Sequence, residues 1–359
     1  MNSKPKNKNQ SIVQVLGPVE ELESYVKADW WRHIFNANYL RTDGDVVQDV
    51  EITKKEVDLF TDALNLNPDA QILDLCCGQG RHVLEFAARG YTGVTGLDRS
   101  HYLIERARKL AKQAGLDILF REGDARKTRF PDNSFDAVLI AGNSFGYFES
   151  VQDDYRVLEE VKRLLKPNGR LLIDVTDGNY TREHFEPRSW EWIDKNYFVC
   201  RERSLSKHQD KLVSREVITH VSKGVIADQF YAERLYSFDD LSKLLQEIGY
   251  TGIREYSSLT PDSKRNQDLG MMAKRIIINA TALKEPVLVS KSDQAYETIV
   301  VILGDPNKSD AVKPNAAFDE DDYHTIDELK KALSGLDTCR FVYLDNHDKL
   351  IRDLIKLKS

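Results

Sequence analysis

No stretch of this 359-residue chain approaches the roughly 20 consecutive apolar residues of a membrane-spanning helix. Its start, MNSKPKNKNQ, has no apolar core of the kind a secretory leader carries. Cysteine is scarce: Cys76, Cys77, Cys200 and Cys339 are too few for a disulfide framework and lack the spacing of metal ligands, so no metal is expected and a reducing compartment fits. A basic excess is missing as well, because 51 Lys and Arg against 58 Asp and Glu leave a net charge of −7. That balance disfavours a mainly electrostatic grip on nucleic acid or on an anionic membrane. With 41% hydrophobic residues, 30% charged residues, 19 Gly and 10 Pro, the composition excludes a disordered or collagenous chain. What remains is a soluble globular protein, expected in the cytoplasm and long enough for two or three domains.

Residues 1–10 are polar, basic and aperiodic, and are expected to form a floppy tail. Residues 11–66 read as helices: VEELESYV, ADWWRHIFNANYL, then VEITKKEVDLFTDALNL ending at Asn67-Pro68. Beyond them strands and helices alternate. QILDLC at 71–76, 92–98, 117–122, FDAVLIA at 135–141 and RLLIDV at 170–175 read as strands, and 81–89, 100–115 and 151–165 as helices, the second capped by Ser100. Such alternation predicts a doubly wound α/β fold of mostly parallel strands, with ligand at their carboxyl ends. Residues 188–235, with segments such as NYFVCRERSLS and KLVSREVITHVS, predict an antiparallel β insertion. A helix capped by Ser237 and two closing strands near 252–257 and 271–280 then complete a seven-stranded sheet and a domain spanning 11–283.

The chemistry is concentrated in LDLCCGQGR, residues 73–81. A strand ends at Asp74, a tight turn passes through Gly78 and Gly80, and a helix begins, which brings bare backbone to a ligand at a helix N-terminus. Asp98, 18 residues beyond Gly80 at the end of the next strand, can accept both hydroxyls of an adenosine ribose. Glycine pairs also make plain strand-to-helix turns, and the two acids are what single this one out. A dinucleotide site wants a third glycine where Val83 stands.

The run ILDLCCGQGRHVLEFAARGYTGVTGLDRS resembles the cofactor-binding half of class I S-adenosylmethionine-dependent methyltransferases, and the resemblance extends over about residues 30–282. The family pattern is DxGxGxG: Asp74, Gly78 and Gly80 match, whereas Cys76 replaces the first glycine. The resemblance implies a Rossmann-like methyltransferase fold and S-adenosylmethionine as cofactor. It implies that Asp98 holds the ribose, that Arg99 and Ser100 flank the adenine, and that Asp124, followed by Ala125, lies near the exocyclic amine. Ala141 and Asn143, in the loop after the fourth strand, fall where the methionine part meets the acceptor. Tyr39, on the helical lead-in that acts as a lid in similar enzymes, is also assigned to the cofactor.

The acceptor pocket is expected between the lid residues Trp31 and Tyr39, the loop residues Phe145 and Tyr147, and Tyr231 and Arg234 of the insertion. Trp30, Arg203, Arg215 and His220 are further candidates, and His82 defaults to an exposed or capping position. An inward row of Arg and Tyr could bind a carboxylate. No residue announces itself as a catalytic base.

Residues 284–294 read as a polar linker. Residues 295–359, with strands ETIVVILG and RFVYLD and helices HTIDELKKAL and DKLIRDLIKLK, read as a small βαβ module similar to the amino-terminal subdomain of D-alanine-D-alanine ligase-like ATP-grasp proteins, cut from a longer bifunctional chain. The expected function is methyl transfer to an amine nitrogen of a small amino-acid-like or peptide-like acceptor. The alternatives are O-methylation of a small metabolite, a nicotinamide-dependent oxidoreductase, and a non-catalytic S-adenosylmethionine-binding protein.

Overall fold

The computed structural model describes residues 16–259, 270–292, 295–301, 311–314, 324–325 and 339–344. The floppy tail expected at 1–10 lies outside them. In the lead-in, the expected first helix is a single 3₁₀ turn, Leu22–Tyr25, and the second is divided into a 3₁₀ turn, Trp30–Arg32, and α1 (Ala37–Thr42). Asn36 makes the division: its side chain accepts from Asn38 N at 2.8 Å and caps α1. A short polar side chain competes here with the helix it would interrupt. After α2 (Gly44–Val47), α3 (Val50–Leu64) is capped by Asp49, which accepts from Glu51 N and Ile52 N, and ends in the left-handed Asn65 rather than at Pro68.

The sheet is built from β1 (Gln71–Leu75), β2 (Gly93–Asp98), β3 (Leu119–Glu122), β4 (Phe135–Ile140), β5 (Leu165–Thr176), β10 (Tyr250–Leu259) and β11 (Arg275–Ala282). Its order is β10-β11-β5-β4-β1-β2-β3, parallel from β3 through β5, with β11 antiparallel to both β5 and β10. This is the expected seven-stranded, Rossmann-like sheet. Strand order reverses between β1 and β4, so the crevice that takes ligand opens there.

Strand β4 is apolar on both faces because helices cover both. Val138 and Ile140 pack with α6 (Val151–Leu164) and α8 (Phe238–Ile248) on one side. Ala137 and Leu139 pack with α3, α4 (Arg81–Ala88) and α5 (His101–Gln113) on the other. Each fully buried Leu or Ile contributes roughly 1.5–3 kcal/mol. Ser100 caps α5 as expected, accepting from Leu103 N.

Between α7 (Gly178–His184) and α8 the insertion forms a four-stranded antiparallel sheet, β6 (Arg188–Trp192), β7 (Tyr197–Leu205), β8 (Lys211–His220) and β9 (Gly224–Arg234), in that order. The start of the lead-in crosses one of its faces, where Leu22 packs on Val213 and Ala232 and Tyr25 stacks on Phe230 at 5.0 Å.

A separate sheet has the order β15-β14-β13-β12-β16, formed by β12 (Glu285–Ser292), β13 (Ala295–Val301), β14 (Ala311–Pro314), β15 (His324–Thr325) and β16 (Cys339–Leu344). The stretch read as a linker is therefore mostly strand. EPVLVSKS carries enough alternating β-branched character to pair, and β12 lies antiparallel between β13 and β16, the two strands of the expected βαβ unit. Of the helix expected at HTIDELKKAL only His324–Thr325 is described, and it is strand β15; the rest of that segment and the helix expected at DKLIRDLIKLK lie outside the described residues. Among the described residues no helix is long and apolar enough to cross a membrane.

Candidate functional site

The β1–α4 turn is held by backbone geometry. Cys76, Gly78 and Gly80 adopt φ of 65°, 55° and 77°. The position where the family pattern has glycine thus needs a left-handed residue, which Cys76 supplies at a cost of roughly 1–2 kcal/mol. Gly80 serves packing: a Cβ there would lie 2.6 Å from the Phe120 ring. Cys76→Gly is expected to change stability by less than about 1 kcal/mol, strain relief offsetting lost burial. Cys76→Val, β-branched in a left-handed conformation, is expected to lose about 2 kcal/mol or more. Urea titration of both variants measures the difference, and equal losses would mean that packing rather than φ governs the site.

Two adjoining cavities open above the carboxyl ends of β1, β2 and β4. The first is walled by Gly78, Asp98, Arg99, Leu103, Asp124, Ala125, Phe145, Phe148 and Val157, with Trp31 of the lead-in. Asp98 accepts from Gly78 N at 2.8 Å and from Ser100 N at 2.7 Å. Burial nonetheless pushes its carboxyl up to about 6, against the pull of those donors. Asp124 is gripped by Arg126, whose Nε and Nη2 donate to its two oxygens at 3.0 and 2.7 Å. Burial opposes this, but the guanidinium wins and holds Asp124 below its ordinary value. Arg126 also stacks on Phe148 at 4.4 Å and on Trp31 at 5.6 Å, bracing the lead-in against the loop. Ser100 Oγ donates to Phe35 O at 2.7 Å and Gln79 Nε2 to Val47 O at 2.8 Å, which ties the lead-in over the turn.

The second cavity lies between the lead-in, the loop after β4 and one face of the four-stranded sheet. Its walls include Trp30, Asp43, Asp45, Asn143, Arg201, Arg203, Glu216, Gln229, Tyr231, Glu233 and Met272. Phe35, Tyr39, Ser144 and Tyr147 line both cavities. Trp30 approaches Tyr147 at 5.3 Å and Tyr231 at 5.7 Å, making an aromatic wall. Glu233 accepts from Asn143 Nδ2 at 2.8 Å, and burial pushes it up to about 8. Arg201 is clasped by Glu191 and Glu216 at 2.7 and 3.0 Å.

Beneath both lies a buried charge network. Arg275 bridges Glu56 of α3 and Asp174 of β5, Arg81 also reaches Glu56, and His82 Nε2 lies 3.0 Å from the same carboxylate. Asp174 Oδ2 accepts from Gly142 N at 2.9 Å and so fixes the left-handed Gly142–Asn143 turn. His82 is 4% exposed, which corrects its expected exposed or capping position: helix α4 turns that face inward, onto Phe60 and Glu56.

Against the sequence expectations, Gly78, Asp98, Arg99, Asp124, Ala125 and Tyr39 come together at the first cavity. Asp74 and Ala141 are buried behind it, Asp74 with its Oδ2 3.7 Å from His82 Nδ1. Asn143 faces the second cavity and not the first. Of the residues expected at the acceptor pocket, Tyr231 lines the second cavity, Tyr147 lines both, and Trp31 and Phe145 line the first. Arg234 lines neither: it donates to Asp154, to Phe148 O and to Glu149 O. The reason is parity, because residues 231 and 234 of one strand point to opposite faces whereas 231 and 233 share one. Applied strictly, the same rule would have found Glu233. Arg203 does line the second cavity, while Arg215 is paired with Asp228 on the other face.

Residues 72–169 match a family described as "Methyltransferase domain". YqeM of Bacillus subtilis (strain 168) is 28% identical over 189 residues, covering 52% of this chain and 75% of that protein. The demethylmenaquinone methyltransferase of Listeria welshimeri is 34% identical over 139 residues, 38% of this chain, and the chain spans about half (54%) of that relative's length. An S-adenosylmethionine-dependent methyltransferase of Clostridium acetobutylicum shares the fold, with a TM-score of 0.54 at 17% identity over 68% of this chain and 96% of that one. Residues 72–169 carry a methyltransferase domain on a Rossmann-like fold, and its cofactor is S-adenosylmethionine. The first cavity fits that group: a side-chain-free Gly78 in the turn that leads into α4, a buried acid to take hydroxyls, and apolar walls of Leu103, Ala125, Val157 and Phe145 for a flat ring system.

Proposed function

We propose that this chain methylates an amine nitrogen of a small amino-acid-like or peptide-like acceptor. The observation that carries the reading is the make-up of the second cavity, where Glu233 and the rings of Trp30, Tyr147 and Tyr231 stand on the same lining as Arg203. Aromatic faces and a carboxylate suit an ammonium group, and a guanidinium suits a carboxylate, so the lining suits a zwitterion. Tyr39 and Tyr147, common to both cavities, put the acceptor end-on to the cofactor.

S-adenosylmethionine supplies an electrophilic methyl on a sulfonium, so the chain's own residues mainly bind, orient and exclude water. Asp98 and Gly78 hold the cofactor's ribose side, Arg99, Asp124 and Ala125 border its adenine, and the lead-in closes over both ligands. The likeness of 295–359 to the amino-terminal subdomain of ATP-grasp ligases, which rests on sequence pattern, supports amino-acid or peptide chemistry as the setting, with the cytoplasm as the compartment.

Purified protein with methyl-labelled S-adenosylmethionine is expected to label primary amines from a panel of L- and D-amino acids and dipeptides, and to leave phenols, alcohols and quinols unlabelled. Label confined to oxygen or carbon acceptors would sink the reading.

A further inference from the structure

We infer that Glu233 is the proton acceptor of the reaction, taking a proton from the acceptor's ammonium group while Asn143 holds the carboxylate in place. The inference rests on the amine reading above and names the residue that makes the amine reactive. An ammonium has no lone pair. Its N–H bond must break with the electrons left on nitrogen, the proton passing to a Glu233 oxygen and then to solvent, before that lone pair can bond to the methyl carbon.

Geometry separates Glu233 from Glu216, the other glutamate of the cavity. It stands on the strand face that carries Tyr231 and is tied by Asn143 to the loop that separates the cavities. Asn143 is itself immobilised: its Oδ1 accepts from Thr176 N at 2.9 Å, its N donates to Asp174 O at 2.9 Å, and its φ is 61°. The carboxylate is thereby held by one donor at 2.8 Å from a rigid turn, a fixed arrangement that a proton acceptor needs. Glu216, by contrast, is committed to Arg201 and to Gln229.

The groups facing Glu233 from neighbouring elements are Asp43 and Tyr39 of the lead-in, Tyr147 of the loop and Arg203 of β7. Burial and Asp43 favour its protonated form, Arg203 and Asn143 its charged form, and burial dominates to put it at about 8. A bound ammonium adds a cation and shifts the group toward carboxylate.

The test has an acceptor-free arm and a kinetic arm. A carboxyl raised from 4.5 in the unfolded chain to about 8 in the folded one makes the native state bind the extra proton, so stability falls as pH rises from about 5 to 8. E233Q should therefore gain stability relative to wild type across that window, and a difference flat from pH 5 to 9 overturns the inference whatever the panel gives. In the kinetic arm, with the best-labelled primary amine of the panel, E233Q should lose about 100-fold or more in kcat. Its affinity for S-adenosylhomocysteine, read by calorimetry, should stay within about twofold. Wild-type kcat/KM should rise through a limb near pH 8 that E233Q lacks, and formate should restore part of the rate to Glu233→Gly. A Gln variant with kcat within about threefold of wild type and the same limb overturns Glu233 as proton acceptor and leaves the amine reading standing. A panel without amine labelling overturns the amine reading instead, and the inference with it.

Discussion

Arg275→Met is expected to cost about 3–5 kcal/mol of folding stability, the loss seen when one partner of a buried ion pair is removed and the other charges stay behind. Arg275 is 1% exposed and joins Glu56 and Asp174, which are themselves buried. Burial and the neighbouring charge of Glu56 already hold Asp174 up, whereas Glu56 stays low because Arg81, His82 and Arg275 outweigh its burial. Without Arg275 both acids move up. The native form of Asp174, already held up, then binds a proton that the unfolded chain releases, so the deficit should be largest above pH 7 and shrink toward pH 5. Adding Glu56→Gln to the Met variant should recover part of the loss. Urea titrations at pH 5 and 7.5 measure all of this, and a pH-independent loss below about 1 kcal/mol would remove the network from the account of stability.

Asp98→Ala is expected to weaken S-adenosylmethionine binding about 10- to 100-fold, corresponding to about 1–3 kcal/mol for groups left without partners. The substitution also orphans Gly78 N and Ser100 N, which Asp98 now satisfies. Asp98→Asn separates the two effects, because an amide oxygen keeps one acceptor while the charge is gone. With the wild-type group at about 6, cofactor affinity should fall as pH drops through 6, since the protonated acid accepts less well, and Asn should abolish that step. Calorimetry from pH 5 to 8 measures both. Unchanged affinity in the Ala variant would move the ribose elsewhere.

How much of this was legible depended on how local each cause was. The glycine turn, the Ser100 cap and the apolar run of β4 are written in neighbouring residues, and each forms as its sequence predicts. Asn36 was equally local, but it hid inside a helical periodicity that its own side chain breaks. Arg234 was misplaced by a count of one along a strand, an error of parity that the sequence contained the means to avoid. The acids of the second cavity come from the lead-in, from β8 and from β9, and only the packing of the insertion over the sheet brings them together. No spacing rule reaches that far. The same holds for β12, whose partner β16 starts 47 residues after β12 ends.

The Glu56–Arg275 bridge spans 219 positions of chain. During synthesis from the amino terminus, α3 and β5 emerge long before the arginine that joins them. Until then Glu56 has Arg81 and His82 beside it, but closing Asp174 into a dry interior would cost several kcal/mol for its uncompensated charge. The floor under the two cavities therefore sets only when β11 slides in between β5 and β10, which makes the reactive end of the sheet the last part of the domain to become native. Long-range closure of this kind is slow, and a nascent or shortened chain lacking β11 keeps its most charged interior open to water and to chaperones.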